Sequence, residues 1–165
     1  MGLDLQDTFK YGLLQSIFVK QRNGSVLNGH CWPGDSVWID YFNEGARTLW
    51  SHFYSFDFFM GTDDKWGIWL DMNEPSVFNG PENTMPKDAK HALSDGKEVW
   101  SKDVKNAYGV QMMQATYEGL KMRNTTEHKR PFILTRSAFF GTQKYGAKWT
   151  GDNQATFDEL AVSIS

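Results

Sequence analysis

Apolar and polar positions follow two different periods along this chain, and each change of period marks an element. Behind Asn43, Ala46, Leu49, Trp50, Phe53 and Tyr54 recur at helical spacing. The Asn43 side chain suits an N-cap and Glu44 falls in the first turn. A second stripe of Ala107, Val110, Met113, Tyr117 and Leu120 predicts a helix over about 104–122. Short apolar runs bounded by turn residues predict buried strands over 66–70, 132–135 and 147–149, with a last helix starting near Thr156. The first run leads to Asp71 and then Pro75, where regular backbone must stop. Residues 10–40 differ, with turn signals at Asn23-Gly24, Asn28-Gly29 and Pro33-Gly34 among aromatics, and predict an irregular insertion of strands and loops. Residues 76–103 hold Pro81, Pro86 and many charges, and read as a long loop with a short helical turn.

Helix, strand, long loop, helix, strand, short helix, strand, helix is an α/β order, which implies parallel strands joined by helical crossovers. Each strand is followed by a charged residue, Asp71, Arg136 and Asp152. In a (β/α)8 barrel the C-terminal strand ends gather on one face, and a doubly wound sheet lines them along one edge, so the pattern alone leaves both architectures open. These few units do not close a barrel, and on the barrel reading the chain is part of one.

A length of 165 residues fits one domain with its own core. A net charge of −3 argues against a nucleic-acid partner, for lack of cations to neutralise phosphates. No run approaches the roughly 18 apolar residues that span a membrane, and the start lacks the basic-then-apolar layout of a signal peptide. The single Cys31 excludes an intrachain disulfide. Two sequons, Asn23-Gly24-Ser25 and Asn124-Thr125-Thr126, permit N-glycosylation in the secretory pathway. Seven Trp, six Tyr and twelve Phe are unusual, and those beside polar residues, such as Trp32, Trp69 and Trp149, suit the flat faces of sugar rings.

Asp71 has Trp69 two residues before it and Glu74 three after it. A strand-end Asp that merely caps the next turn explains it as well as catalysis does, as long as it is read alone. Asp152 and Arg136 change the balance. Two carboxylates with a guanidinium and Trp faces are what glycosidic cleavage by acid/base chemistry requires, one acid staying ionised and the other donating its proton. Metal binding is the rival use of these acids, and His30, His52, His91 and His128 stand outside any ligand spacing with them. No metal and no cofactor are expected.

Trp69-Leu70-Asp71-Met72-Asn73-Glu74 resembles the nucleophile signature of glycoside hydrolase family 31, the retaining α-glucosidases and α-xylosidases. The continuation through Pro75-Ser76-Val77-Phe78-Asn79-Gly80, with Arg130-Pro131-Phe132-Ile133-Leu134-Thr135-Arg136, Trp149-Thr150-Gly151-Asp152-Asn153 and Cys31-Trp32-Pro33-Gly34, is similar to the same family. The resemblance covers roughly 17–165. It implies a partial (β/α)8 TIM barrel, central strands and helices only, with 1–165 part of one catalytic domain. The family's N-terminal β domain and remaining strands have no counterpart in it. It further implies Asp71 as nucleophile and Asp152 as general acid/base, and Trp32, Trp69, Met72, Arg136 and Trp149 as substrate-binding. Glu74 would fix the loop after the nucleophile.

Within the family, the likeness is to the branch that trims glucose from N-linked glycans. That implies an N-glycan or oligosaccharide substrate, a non-catalytic β subunit as partner, and the endoplasmic reticulum lumen for the whole protein. Two alternatives remain open: an inactive fragment or degenerate copy, and a relative acting on starch-derived oligosaccharides. The sequence departs from the family pattern at His30, where a second Trp is common, at Asn43-Glu44 in place of Asn-Pro, and in a longer, more charged loop over 91–105.

Overall fold

The computed structural model describes residues 17–123 and 130–164. The first residues of the predicted insertion (10–16), the Asn124 sequon and His128 lie outside the described residues. From residue 28 the chain forms a hairpin of β1 (Asn28–Cys31) and β2 (Gly34–Val37). Asn28-Gly29, expected to turn, begins β1 instead. A Cβ on Gly29 would meet Val77 at 2.8 Å and Trp38 at 2.9 Å, so this glycine serves close packing rather than a turn. The Pro33-Gly34 turn forms as expected, with Gly34 at φ 102.

Helix α1 (Glu44–His52) starts where the pattern places it, the Asn43 side chain accepting the Ala46 N–H. β3 (Ile68–Leu70) lies parallel to β6 (Ile133–Thr135), and β6 parallel to β7 (Ala147–Lys148), in the order β3-β6-β7. The crossover from β3 to β6 carries α2 (Ser101–Val104), a 3-10 turn at Lys105–Ala107 and α3 (Tyr108–Met122). A 3-10 turn at Thr142–Lys144 links β6 to β7, and α4 (Phe157–Ser163) follows with Thr156 as its cap. The parallel α/β order read from the periodicity is therefore the observed one.

Several boundaries and faces differ from expectation. The strand expected over 66–70 is shorter and only half buried. Pleating turns Leu70 inward at 3% exposure and leaves Trp69 outward at 64%. The second helix begins at Ser101 and breaks once before α3. Its buried face is Tyr108, Gly109, Met113, Ala115, Thr116, Gly119 and Leu120, while Ala107, Val110 and Tyr117 are only partly covered. The arc is wider than one stripe because α3 meets α1 as well as the sheet. Ser51 Oγ donates to the Ala115 carbonyl at 2.7 Å, and Trp50 Nε1 donates to Thr116 Oγ1 at 2.8 Å.

The segment expected as a loop over 76–103 contains an antiparallel hairpin, β4 (Lys90–Ala92) with β5 (Glu98–Trp100). Ser94-Asp95-Gly96 turns it, with Gly96 at φ 82, and the Asp-Gly pair was the available signal. Charged residues on its exposed face hide the alternation. Asp40, 1% exposed, anchors this hairpin: the Ala92 N–H donates to its Oδ2 at 2.6 Å and His91 Nδ1 lies 2.8 Å from its Oδ1.

Two apolar clusters meet around Trp50 and Met112. One gathers Val19, Leu27, Tyr41, Val77, Met85 and Tyr108. The other joins Leu70 and Ile133 of the sheet to Met113 and Leu120 of α3, which fixes the sheet against its crossover helix.

Candidate active site

Because β3, β6 and β7 are parallel, their C-terminal ends share one edge. The ladder continues just past the strands: the Arg136 N–H donates to the Leu70 carbonyl at 3.0 Å, and the Trp149 N–H to the Thr135 carbonyl at 3.3 Å. Asp71, Arg136 and Trp149 are thereby the first residues beyond three adjacent strands.

Arg136 is the hub of that edge. Its Nη1 lies 3.2 Å from Asp71 Oδ1, its Nε donates to Glu74 Oε1 at 2.7 Å, and its Nη2 to Glu74 Oε2 at 3.0 Å. The second pair is the planar two-bond fork that arginine makes best. Met72 Sδ receives Nη2 at 3.0 Å. The backbone turns sharply at Met72, φ 61, and the Ser76 N–H closes onto the Met72 carbonyl at 2.9 Å. The Ser76 hydroxyl donates to Glu74 Oε2 at 3.1 Å. Asp71 Oδ1 also accepts the Met72 N–H at 2.9 Å, so the turn-capping use is real but accounts for one contact only.

Asn73, 2% exposed, ties this turn to β6 from below. Its Nδ2 donates to Thr135 Oγ1 at 2.7 Å, and its Oδ1 accepts the Ser137 N–H at 3.0 Å. Gly109, at the start of α3, packs so closely there that a Cβ would meet Ser137 at 2.7 Å and the Asn73 carbonyl at 2.9 Å. The nucleophile candidate thus projects from a turn held on two sides.

Burial would raise the Glu74 carboxyl, but the hydrogen bonds and charge of Arg136 outweigh it and hold the group below its ordinary value. The Glu74 hydrogen bond lifts the Arg136 guanidinium above its own; burial opposes this, and the charges of Glu74, Asp71 and Asp152 reinforce it. Asp152 therefore lies within the electrostatic reach of Arg136. It is exposed, one residue after Gly151 at φ 94.

Trp69 of β3 and Trp149, just past β7, meet at a tilt, ring centroids 5.6 Å apart at 56°. Trp32, 79% exposed, stands at the tip of the β1–β2 hairpin and meets Phe78 edge-on at 5.0 Å. Two hydrogen bonds sew that hairpin to the segment after Asp71: the Phe78 N–H to the His30 carbonyl at 2.8 Å, and the His30 N–H to Asn79 Oδ1 at 2.9 Å. Of the residues expected at a site, Asp71, Met72 and Arg136 are in contact, Trp69 pairs with Trp149, Trp32 packs on Phe78, and Asp152 joins through its field. Met72 meets the group through its sulfur on Arg136. Asn73, Thr135, Ser137, Ser76 and Phe78 were missed as supports. Asn73 alone carried a signal, as an amide inside the Asp-Met-Asn-Glu run.

The chain matches the family model for the glycosyl hydrolases family 31 TIM-barrel domain over residues 4–165. Neutral alpha-glucosidase AB of Homo sapiens is 46% identical over 149 residues, covering 90% of this chain and 15% of that protein. A probable glucan 1,3-alpha-glucosidase of Arabidopsis thaliana is 47% identical over 147 residues, 89% of this chain and 15% of that protein. Among solved structures, the ER glucosidase II heterodimeric complex of catalytic subunit and regulatory-subunit binding domain matches with a TM-score of 0.83 at 45% identity, covering 95% of this chain and 17% of that one. The chain spans about 15% of the length of these curated relatives.

Proposed function

The chain belongs to glycosyl hydrolase family 31 and forms part of its TIM-barrel domain, and from that premise we propose that the polypeptide carrying it is a retaining α-glucosidase. Asp71 attacks the anomeric carbon and forms a glycosyl ester while Asp152 gives its proton to the departing oxygen. Asp152 then takes a proton from water, which displaces the sugar from Asp71 with net retention. Trp32, Trp69, Met72, Arg136 and Trp149 bind the glucose. The observation that carries this reading is the contact of Arg136 with Asp71 at the C-terminal edge of three parallel strands, which holds a carboxylate and a cation together where the strand ends converge.

The substrate we propose is α-1,3-linked glucose on an N-linked glycan, cleaved in the endoplasmic reticulum lumen by a catalytic subunit paired with a non-catalytic β subunit, as in glucosidase II. The supporting likenesses are relatives named for glucan 1,3-α-glucosidase activity and for an ER heterodimer. β3 and β7 each have one strand neighbour among the described residues, so the 165-residue chain on its own is expected to be inactive. Glucose release from α-1,3- and α-1,4-linked diglucosides by the carrying polypeptide, next to its Asp71→Asn variant, tests the proposal. Preferential release from the α-1,3 substrate, lost in the variant, is expected. Preference for the α-1,4 substrate would favour a starch-directed relative, and activity surviving in Asp71→Asn would remove the nucleophile assignment.

A further inference from the structure

Outside the strand edge, the segment 21–25 is a tight loop hung on the Lys20↔Val26 bridge. The Gln21 N–H donates to the Ser25 carbonyl at 2.7 Å, and the Gly24 N–H to the Gln21 carbonyl at 2.9 Å. Asn23 sits in this loop, exposed. Its Oδ1 accepts two hydrogen bonds from one residue, the Ser25 N–H at 3.0 Å and the Ser25 hydroxyl at 2.8 Å. The first of these is the ordinary Asx turn, which Asp would make equally well. The second is not needed to form the turn. It sets the Ser25 hydroxyl against the Asn23 carboxamide, the two groups an oligosaccharide-transferring enzyme must recognise together in Asn-x-Ser/Thr. The bonds use the amide oxygen, which leaves Nδ2 as the atom for chemistry. Gly24 between them is at φ 89, and a Cβ added there would meet nothing within 4 Å, so the approach is open.

We propose that Asn23 is an N-glycosylation acceptor that takes an oligosaccharide from a lipid-linked diphosphate donor. Asn23 Nδ2 loses a proton to a base of the transferring enzyme and forms a bond to the anomeric carbon of the donor sugar. The bond from that carbon to the phosphate oxygen breaks, and the lipid diphosphate leaves with the electron pair. No oxidant or reductant enters. The modification in the native protein rests on the lumenal reading above, because donor and enzyme face the lumen of the secretory pathway. The loop's strand partner is the β4 side of the molecule, through Lys20↔Lys90, rather than the sheet that carries Asp71. A glycan at Asn23 is therefore expected to leave the candidate site open.

The test is the 165-residue chain expressed in eukaryotic cells behind a cleavable secretory signal and read by endoglycosidase-sensitive gel mobility. A gel shift is the safer readout, because Asn-Gly pairs deamidate spontaneously and imitate the small mass change of enzymatic glycan removal. An Asn124→Gln background leaves Asn23 in the one remaining sequon of the sequence. One endoglycosidase-sensitive shift is expected there, kept by Ser25→Thr and lost in both Asn23→Gln and Ser25→Ala. A chain that is shifted at Asn124 in the unaltered sequence, and so has been translocated, yet shows no shift in Asn124→Gln would overturn the proposal. Expression of the carrying polypeptide with its own leader tests the compartment separately. An unmodified native product beside a modified signal-directed chain would refute the lumenal reading and leave the acceptor assignment standing.

Discussion

Arg136 binds Asp71 and Glu74 at the same time, with Nη1 3.2 Å from Asp71 Oδ1 and Nε 2.7 Å from Glu74 Oε1. The fork on Glu74 leaves Nη1 for Asp71, so Glu74 aims the guanidinium at the nucleophile candidate. Three charges at close range leave this group with one net negative charge, which the two Trp faces do not compensate.

Glu74 should register in the pH dependence of stability. Its folded-state carboxyl lies below the ordinary value of 4.5, so the stabilisation is present above that value and is lost as pH falls through the lower, folded one. Urea unfolding of the folded chain between pH 7 and 3 should show the unaltered protein losing stability below about pH 4.5 and Glu74→Gln losing less. The side chain is 38% exposed, so solvent screening keeps the difference small. Parallel curves for the two proteins would contradict the ion pair.

Asn73→Ala should weaken the turn that holds Asp71. It removes one partner of the buried Thr135 hydroxyl, which keeps its bond to the Ser137 carbonyl, and leaves the Ser137 N–H without its amide partner, at a cost of about 1–3 kcal/mol for that unsatisfied group. Chemical denaturation measures this directly. A change below about 0.5 kcal/mol, the usual scale of surface substitutions, would mean that water replaces the amide and that the turn is held elsewhere.

The sequence disclosed the parts whose physics is local. Asn43 could be read as a cap because a side-chain amide at the start of an apolar stripe has few other uses, and its bond to the Ala46 N–H is present. The order of parallel strands followed from helices falling between apolar runs. The run 66–70 reads as a buried strand although Trp69 within it is expected to face substrate, because a continuous apolar run does not reveal which face of a strand meets the core; Leu70 turns inward and Trp69 outward. The β4–β5 hairpin stayed hidden behind its charges, and Gly29 looked like a turn because its role depends on Val77, distant in sequence, and on Trp38 just past the partner strand. The site divides in the same way. Asp71 and Arg136 stand at strand ends that can be read along the chain, and Asp152 follows the last strand by four residues. Thr135, Ser137 and Phe78 act only through contacts made after folding, and nothing in their own neighbourhoods distinguished them.

Asp152 should behave as an acid rather than as a binding group. In the polypeptide that carries this chain, Asp152→Ala should reduce turnover of unactivated α-glucosides by about 100-fold or more, the lower end of what a positioned general acid contributes. Aryl glucosides with good leaving groups need no proton and should lose far less. Steady-state rates on both classes check this, and equal losses would assign the acid role elsewhere.

Asp71 is the residue expected to become covalently bonded to the sugar. A 5-fluoro-α-glucosyl fluoride slows the second displacement more than the first, so the glycosyl ester accumulates. Incubating it with the polypeptide that carries this chain, then digesting at acid pH and sequencing the labelled peptide by mass spectrometry, locates the ester. The label is expected on the Asp71 carboxyl within Trp69-Leu70-Asp71-Met72-Asn73-Glu74, with none in Asp71→Asn. A label on Glu74, Asp152 or any other residue would contradict the account.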